Sequence, residues 1–201
     1  MKVFGAGLSK TGTTSLQEAF TLLGYKTLGF HADRLHDAVI HGRDDANFRV
    51  YDDKDAVFDL PVAHYYEQLA EAYPEAKFIL TLRDEDDWWP SIENHFFLRP
   101  VKYPRLFDLP RRRSYKVFRR ALRERVYGSA SPVEELYRQR YREHNARVQA
   151  VIPAERLLVM NIMAGDGWDK VCGFIGVDKP NAPFPYKNRA RNAVDQTQES
   201  S

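Results

Sequence analysis

Gly7-Leu8-Ser9-Lys10-Thr11-Gly12-Thr13-Thr14-Ser15 is the stretch on which the reading of this chain turns. A short apolar run, residues 2–6, leads into it. Residues 13–23 follow, with Leu16, Ala19, Phe20 and Leu23 at helical spacing and Gly24 where a helix end belongs. The order is therefore strand, glycine loop, helix. In that context a glycine pattern is a phosphate cradle, because backbone N–H groups and the helix N-terminus converge on an anion. A glycine-rich turn with no ligand would need none of the polar side chains found here. Lys10 and the hydroxyls of Thr11, Thr13, Thr14 and Ser15 favour the cradle.

Working outward, residues 25–30 read as a second strand, and 56–58 as a short apolar run ending at Asp59, with Pro61 preventing its continuation. Residues 62–73 read as a helix stopped by Pro74. KFILTL, 77–82, is the clearest buried strand. Residues 87–97 read as a helix with Pro90 in its first turn. After a proline-broken stretch, 100–110, two basic or mixed helices are expected over 113–127 and 132–151. A late strand at 157–162 and a helix at 167–175 close the pattern. Strands alternating with helices predict an α/β fold: three layers, with a central mostly parallel sheet flanked by helices. Residues 98–152 are expected as a helical insertion or lid, and 189–201 as a polar tail. No linker divides the 201 residues, so one domain is expected.

Hydrophobic residues make up 43% of the chain, which argues against disorder throughout. The net charge is only +2, but residues 99–150 hold 13 Arg and 2 Lys against 1 Asp and 4 Glu, a net of +10. Such a block points to an anionic partner, or to solvated helix faces with acidic counterparts elsewhere. Cys172 is the single cysteine, which suits a reducing compartment. Residues 1–10 do not read as a signal peptide, and no apolar run approaches the roughly 20 residues that span a bilayer. A soluble, cytoplasmic protein is expected.

The loop departs from the nucleotide-triphosphate pattern G-x-x-x-x-G-K-[ST]. Thr13 stands in the lysine's place, Thr14 in that of the metal-binding hydroxyl, and the lysine has moved back to Lys10. A triphosphate needs Mg²⁺ and that lysine against the β and γ charges. A phosphosulfate carries less charge on the transferred group, so one lysine beside the bridging oxygen can serve without metal.

GLSKTGTTSL resembles the 5′-phosphosulfate loop of sulfotransferases that use 3′-phosphoadenosine-5′-phosphosulfate (PAPS). Leu23-Gly24-Tyr25, Phe30-His31-Ala32 and Asp59-Leu60-Pro61 are similar to motifs of a compact family within them. So are Tyr73-Pro74-Glu75-Ala76 with the KFILTL strand and Arg83-Asp84, then Trp88 and Ser91. Gly167-Trp168, Cys172-Gly173-Phe174 and Pro183-Phe184-Pro185 also fit. The likeness covers 1–91 and 157–188 and fades over 97–149. Ala32 and Leu60 stand where the family pattern has methionine and tryptophan, a departure that bears on the acceptor pocket.

The resemblance implies a P-loop-type fold and a donor site of Ser9, Lys10, Thr11, Gly12, Thr13, Thr14 and Ser15. Arg83 and Ser91 would take the 3′-phosphate, with a late basic segment, Lys187, Arg189 and Arg191, closing it. The product would be 3′,5′-ADP, with no metal required. Read from the residues alone, Arg83 could instead pair with Asp84 or Asp86, and the late basic residues could be a solvated tail. Asp59 could be a general base, an orienting group, a metal-binding acid or a helix cap. His31 and His64 are its rivals as base. Trp88 and Trp89 are adjacent on a helix, so one should pack while the other is free to stack on adenine. The arginines of 111–125 could attract an anionic acceptor, a lipid head group or nucleic acid, be solvated helix faces, or belong to a mobile lid over the acceptor side. The expected activity is sulfonyl transfer to a hydroxyl or amine of a small-molecule or lipid acceptor, with no nucleic-acid partner. A P-loop kinase is the first alternative, and a non-catalytic anion or nucleic-acid binding module is the second.

Overall fold

The structure, a computed structural model, describes residues 1–101, 105 and 109–186. β1 (Val3–Gly5) leads through the glycine loop into α1 (Thr13–Leu22). β2 (Thr27–Leu28), the short α2 (His36–His41), β3 (Ala56–Val57) and α3 (Tyr66–Ala72) follow. Then come β4 (Lys77–Thr81), α4 (Glu85–Phe97), α5 (Pro110–Tyr127) and α6 (Glu134–Val151). β5 (Leu157–Met160) and α7 (Trp168–Ile175) end the described chain.

The five strands form one sheet in the order β2-β3-β1-β4-β5, and every pairing is parallel. Period-two alternation sends side chains to both faces. Phe4, Phe78 and Leu80 enter the larger core with residues of α2 through α6. Val3, Ala56 and Ile79 face α1 and α7. A parallel sheet buried on both sides by helices is the three-layer α/β architecture expected from the sequence. Because β1 sits between β3 and β4, the chain leaves β1 toward one edge and later crosses to the other. The crevice for ligands opens at that switch point, beyond the carboxyl ends of β1, β3 and β4.

Some expected elements differ. The helix read over 62–73 begins only at Tyr66, because residues 61–65 form tight turns in which His64 N–H reaches the Pro61 carbonyl at 3.0 Å and Tyr65 N–H that of Val62 at 3.1 Å. The helix read over 87–97 begins at Glu85. The Asp84 carboxylate caps it, accepting from Asp86 N–H at 2.9 Å and Asp87 N–H at 3.3 Å, so Pro90 falls in the second turn and not the first. Residues 98–152 are not set apart from the core: Phe118, Leu122, Tyr127, Tyr137, Tyr141 and Val148 of α5 and α6 help build it. Among the described residues, no helix is long and apolar enough to cross a membrane.

Candidate active site

Local sequence fixes the loop from three directions. At Gly7 the chain passes so close to β4 that a Cβ would lie 2.0 Å from Thr81 Oγ1 and under 3 Å from Thr81 backbone atoms. Thr11 is buried; its hydroxyl lies 2.6 Å from that of Thr81 and donates to the Leu8 carbonyl at 2.7 Å. Two residues of the later helices hold the loop from behind. Trp88 Nε1 donates to the Ser9 carbonyl at 3.0 Å, and His144 Nε2–H donates to the Ala6 carbonyl at 2.7 Å. Gly12 then starts α1 at φ +101°, a conformation natural to glycine, and no side chain caps the helix.

Lys10 (φ 73°) and Asp59 (φ 67°) are the non-glycine residues of the described chain with positive φ. Such backbone is costly and clusters at functional sites. Here both outliers lie beside one cavity of about 650 Å³. Its floor is the loop, with Ser9, Lys10, Gly12, Thr13, Thr14 and Ser15. Asp59 and Leu60 come from the end of β3, and Arg83 from the end of β4. α4 adds His95, Phe96 and Arg99. α5 adds Tyr115, Arg119, Leu122 and Arg123.

Asp59 accepts from the Ser9 hydroxyl at 3.0 Å and from Leu60 N–H at 2.8 Å. Burial pushes its pKa above the usual carboxylate range, although the bonds from Leu60 and Ser9, the Thr13 hydroxyl and the Lys10 charge work in the opposite sense. The pKa of Lys10 is lowered, first by burial and then by the charges of Arg83 and Arg99, against the pull of Asp59. Asp59 and Lys10 thus line the same cavity, the pKa of one raised and of the other lowered by burial.

Arg83 is positioned by its backbone. Its N–H donates to the Tyr141 hydroxyl at 2.9 Å, and that hydroxyl donates back to the Arg83 carbonyl at 2.8 Å. The acids that could have neutralised its side chain are otherwise engaged. Asp84 caps α4, and Asp86 pairs with Arg138 at 2.9 Å. The Arg83 Nε is buried without a hydrogen-bond partner. An orphaned guanidinium nitrogen at a strand end suits an oxyanion.

Several expected residues stand elsewhere. His31 is buried with both ring nitrogens engaged: Nδ1–H donates to the Gly29 carbonyl at 2.9 Å, and the Tyr51 hydroxyl donates to Nε2 at 2.7 Å. It does not line the cavity, and burial lowers its pKa. His64 also lies outside, with a pKa lowered to about 4 mainly by burial. Both are core histidines. Thr11 lines no part of the cavity and serves as an internal brace. Ser91, on α4, is half-buried and is not among the lining residues. Trp88 and Trp89 are both buried: Trp88 stacks on Tyr141 at 4.2 Å, and Trp89 packs edge-on to Tyr137, so neither offers a face to adenine. Lys187, Arg189 and Arg191 lie outside the described residues.

The sequence did not single out His95 and Arg99, and Arg119 and Arg123 stood out only as part of the run 111–125. Part of the basic block is paired, as a solvated face would be: Arg138 with Glu134, Glu85 and Asp86, Arg142 with Glu85, Arg147 with Glu67. Arg125 is bonded to carbonyls of α2 and ties α5 to it. Arg119 and Arg123 differ, and a sequence signal exists. Neither has an acidic residue three or four positions away, whereas Arg120 has Glu124.

The family model described as "Sulfotransferase domain" matches residues 2–193. Ava biosynthesis cluster protein M of Aspergillus versicolor is 30% identical over 213 residues, covering 92% of this chain and 80% of that protein. The crystal structure of a sulfotransferase from Alicyclobacillus acidocaldarius superposes with a TM-score of 0.53 at 19% identity, over 96% of this chain and 87% of that one. The likeness to that structure is one of fold.

Proposed function

This chain belongs to the sulfotransferase domain family, and from that premise we propose that it transfers a sulfonyl group from PAPS to a hydroxyl or amine of a small-molecule or lipid acceptor. The observation that carries the reading is the pairing of Lys10 and Asp59, each on left-handed backbone, across one cavity floored by the glycine loop. A donor with an anionic end fits the residues present. The loop offers backbone N–H groups at the start of α1, and Arg83 has a buried nitrogen with no partner.

PAPS supplies the sulfonyl group: an acceptor O–S or N–S bond forms as the bond from sulfur to the 5′-phosphate oxygen breaks, and that oxygen keeps the electron pair in 3′,5′-ADP. The chain's own residues hold and move charge around that step. Lys10 places an ammonium where negative charge grows on the leaving oxygen. Asp59 takes the proton that the acceptor gives up; its pKa, raised by burial, brings it nearer the working pH. The Ser9 hydroxyl and Leu60 N–H fix the carboxylate's direction. Ser9, Gly12, Thr13, Thr14 and Ser15 hold the 5′ end of the donor, and Arg83, joined by Ser91 and the basic segment at Lys187 and Arg189, holds the 3′-phosphate. No metal is required in this reading, because Thr13 replaces the lysine that acts with the metal in a triphosphate loop, and the lysine stands at Lys10 instead.

Calorimetry with 3′,5′-ADP in EDTA tests the reading. Binding is expected without metal, with 5′-AMP weaker. Binding of Mg-ATP alone would replace sulfonyl transfer with a kinase.

A further inference from the structure

The cavity has a second pole of positive charge that the donor reading leaves unused. Arg119 and Arg123 stand one turn apart on α5 and converge on the end of α4. The Nη2 of each donates to the Arg99 carbonyl, at 2.9 and 2.7 Å. Arg123 also reaches the Ala130 carbonyl at 3.3 Å and lies 3.7 Å over the Phe96 ring. It is 5% exposed. A buried cation is ordinarily paired, because leaving one unpaired costs several kcal/mol. Burial, and then the charge of Arg119, lower the pKa of Arg123 to about 10; the other titratable groups acting on it are the phenols of Tyr137 and Tyr127, with no carboxylate among them. Among the described residues, carbonyl oxygens and an aromatic face hold it, whereas acids neutralise Arg120, Arg138, Arg140, Arg142 and Arg147 of the same basic block.

The two poles meet at His95, on which Lys10, Arg99, Arg123 and Arg119 all act. The charges acting on Lys10 itself are those of Arg83, Arg99 and Asp59. Phe30, Phe96 and Leu122 line the cavity with Arg119 and Arg123.

We propose that Arg119 and Arg123 bind an oxyanion carried by the acceptor itself. The acceptor is then an amphipathic hydroxy or amino acid, or the equivalent phosphate or sulfate ester, with its ring or hydrocarbon body against Phe30, Phe96 and Leu122. The planar donor fork of arginine matches such an oxyanion in two-point contact. The apolar walls select against a purely hydrophilic anion. The nucleophile is directed toward Asp59 because the acceptor's charge is held at the opposite wall. The term "acceptor" rests on the sulfonyl-transfer reading; the binding of an anion at this wall does not.

The experiment uses the full chain saturated with 3′,5′-ADP and three matched probes, 4-hydroxybenzoate, 4-hydroxyphenyl phosphate and 4-hydroxybenzamide, measured by calorimetry. At least one acid should bind about tenfold or more tightly than the amide, the scale of one charge-assisted hydrogen bond. The ratio between the two acids distinguishes a carboxylate from a phosphate ester. Arg119→Gln, at a half-buried position, should remove most of that preference while leaving 3′,5′-ADP affinity within about twofold. Arg123→Lys keeps the buried charge but loses the fork and should weaken the acids in the same direction; far-UV circular dichroism checks that both variants fold. Equal binding of acids and amide overturns the proposal. So does a variant that loses 3′,5′-ADP affinity instead, since the arginines would then belong to the donor. If the unaltered protein binds no 3′,5′-ADP, the donor reading falls, and the same acid-to-amide comparison on the free protein decides this one.

Discussion

The two walls of the cavity grip charge by different means. The loop wall is built from backbone: a glycine pressed on β4, a second glycine starting α1, and Lys10 and Asp59 at positive φ. Buried side chains from β4, α4 and α6 (Thr81, Trp88 and His144) brace it. The α4–α5 wall is built from guanidinium groups resting on carbonyls and on the Phe96 ring. Backbone amides recognise an anion whatever side chains surround them, and their geometry cannot drift without the sheet. Guanidinium groups on a helix can be exchanged one at a time. The first wall is suited to an invariant donor, and the second to an acceptor that differs from protein to protein. Single substitutions should therefore cut turnover on the loop wall and change selectivity on the helical wall.

The largest effect is expected at Asp59. Asp59→Asn keeps the shape and both accepted hydrogen bonds but loses the basicity, so kcat should fall by roughly 10²–10⁴-fold with 3′,5′-ADP binding intact. Stability should move the other way. The native pKa of Asp59 is raised, so the native state holds its proton more tightly than the unfolded chain does. Stability is therefore lost as pH rises from the ordinary carboxylate range through the native pKa. At pH 7 the asparagine variant escapes that cost, and asparagine also tolerates left-handed backbone well. Its Tm should rise as its activity falls. A lower Tm with near-normal kcat would mean that the carboxylate is structural.

Within the loop wall, the next contrast is between Lys10 and Arg83. Lys10→Ala should lower kcat by about 10²–10³-fold, as loss of one donor to a developing oxyanion does, with little change in donor KM. Arg83→Ala should raise donor KM by about tenfold or more, the value of a charged hydrogen bond, and abolish the preference for 3′,5′-ADP over 5′-AMP. Identical effects of the two substitutions would dissolve the distinction between transition-state charge and ground-state binding on this wall.

The legibility of the site follows the same division. Strand, glycine loop and helix are local, and both glycines and Lys10 could be placed from spacing alone. The KFILTL strand is equally plain because a parallel strand buried on both faces is continuously apolar. That Asp59 and Arg83 line one cavity could be read from their places just after strands, because a parallel sheet gathers strand ends at one edge. His31 misled because a histidine in a loop looks the same whether it faces a cavity or, as here, bonds to Gly29 and Tyr51. The two tryptophans, one of them expected free to stack on adenine, are both packed through distant partners: those of Trp88 are 79 residues back, at Ser9, and 53 residues on, at Tyr141. Arg119 and Arg123 were hidden among 13 arginines of residues 99–150: the want of an acid three or four positions away is a weak signal, since Arg142 shares it and folding brings it to Glu85. Strong local signals expose the backbone-built wall, and long-range packing conceals the side-chain wall.

The smallest effect is also the one that reads both walls in a single experiment. His64 and His95 share a pKa of about 4, for different reasons. Burial, with the charges of His144 and Arg125, holds His64 neutral in the core. His95 is held neutral by burial and by Lys10, Arg99, Arg123 and Arg119 around the cavity. In each case the native pKa lies below the unfolded value of about 6.5. The unfolded chain then binds more protons between about pH 6.5 and 4, and stability is lost as pH falls through that window. An anion on the α5 wall offsets the cations around His95 and favours its imidazolium, so its pKa should rise and its part of the acid loss should shrink. Nothing of the kind should reach His64. Titration of both ring Cε1–H signals by NMR, with and without 4-hydroxybenzoate, should show His95 shifting by several tenths of a unit or more and His64 standing still. Joint movement would mean that the probe alters the whole fold. Two still signals would place the anion away from the helical wall, and the contrast between an invariant donor wall and a selective acceptor wall would lose its physical basis.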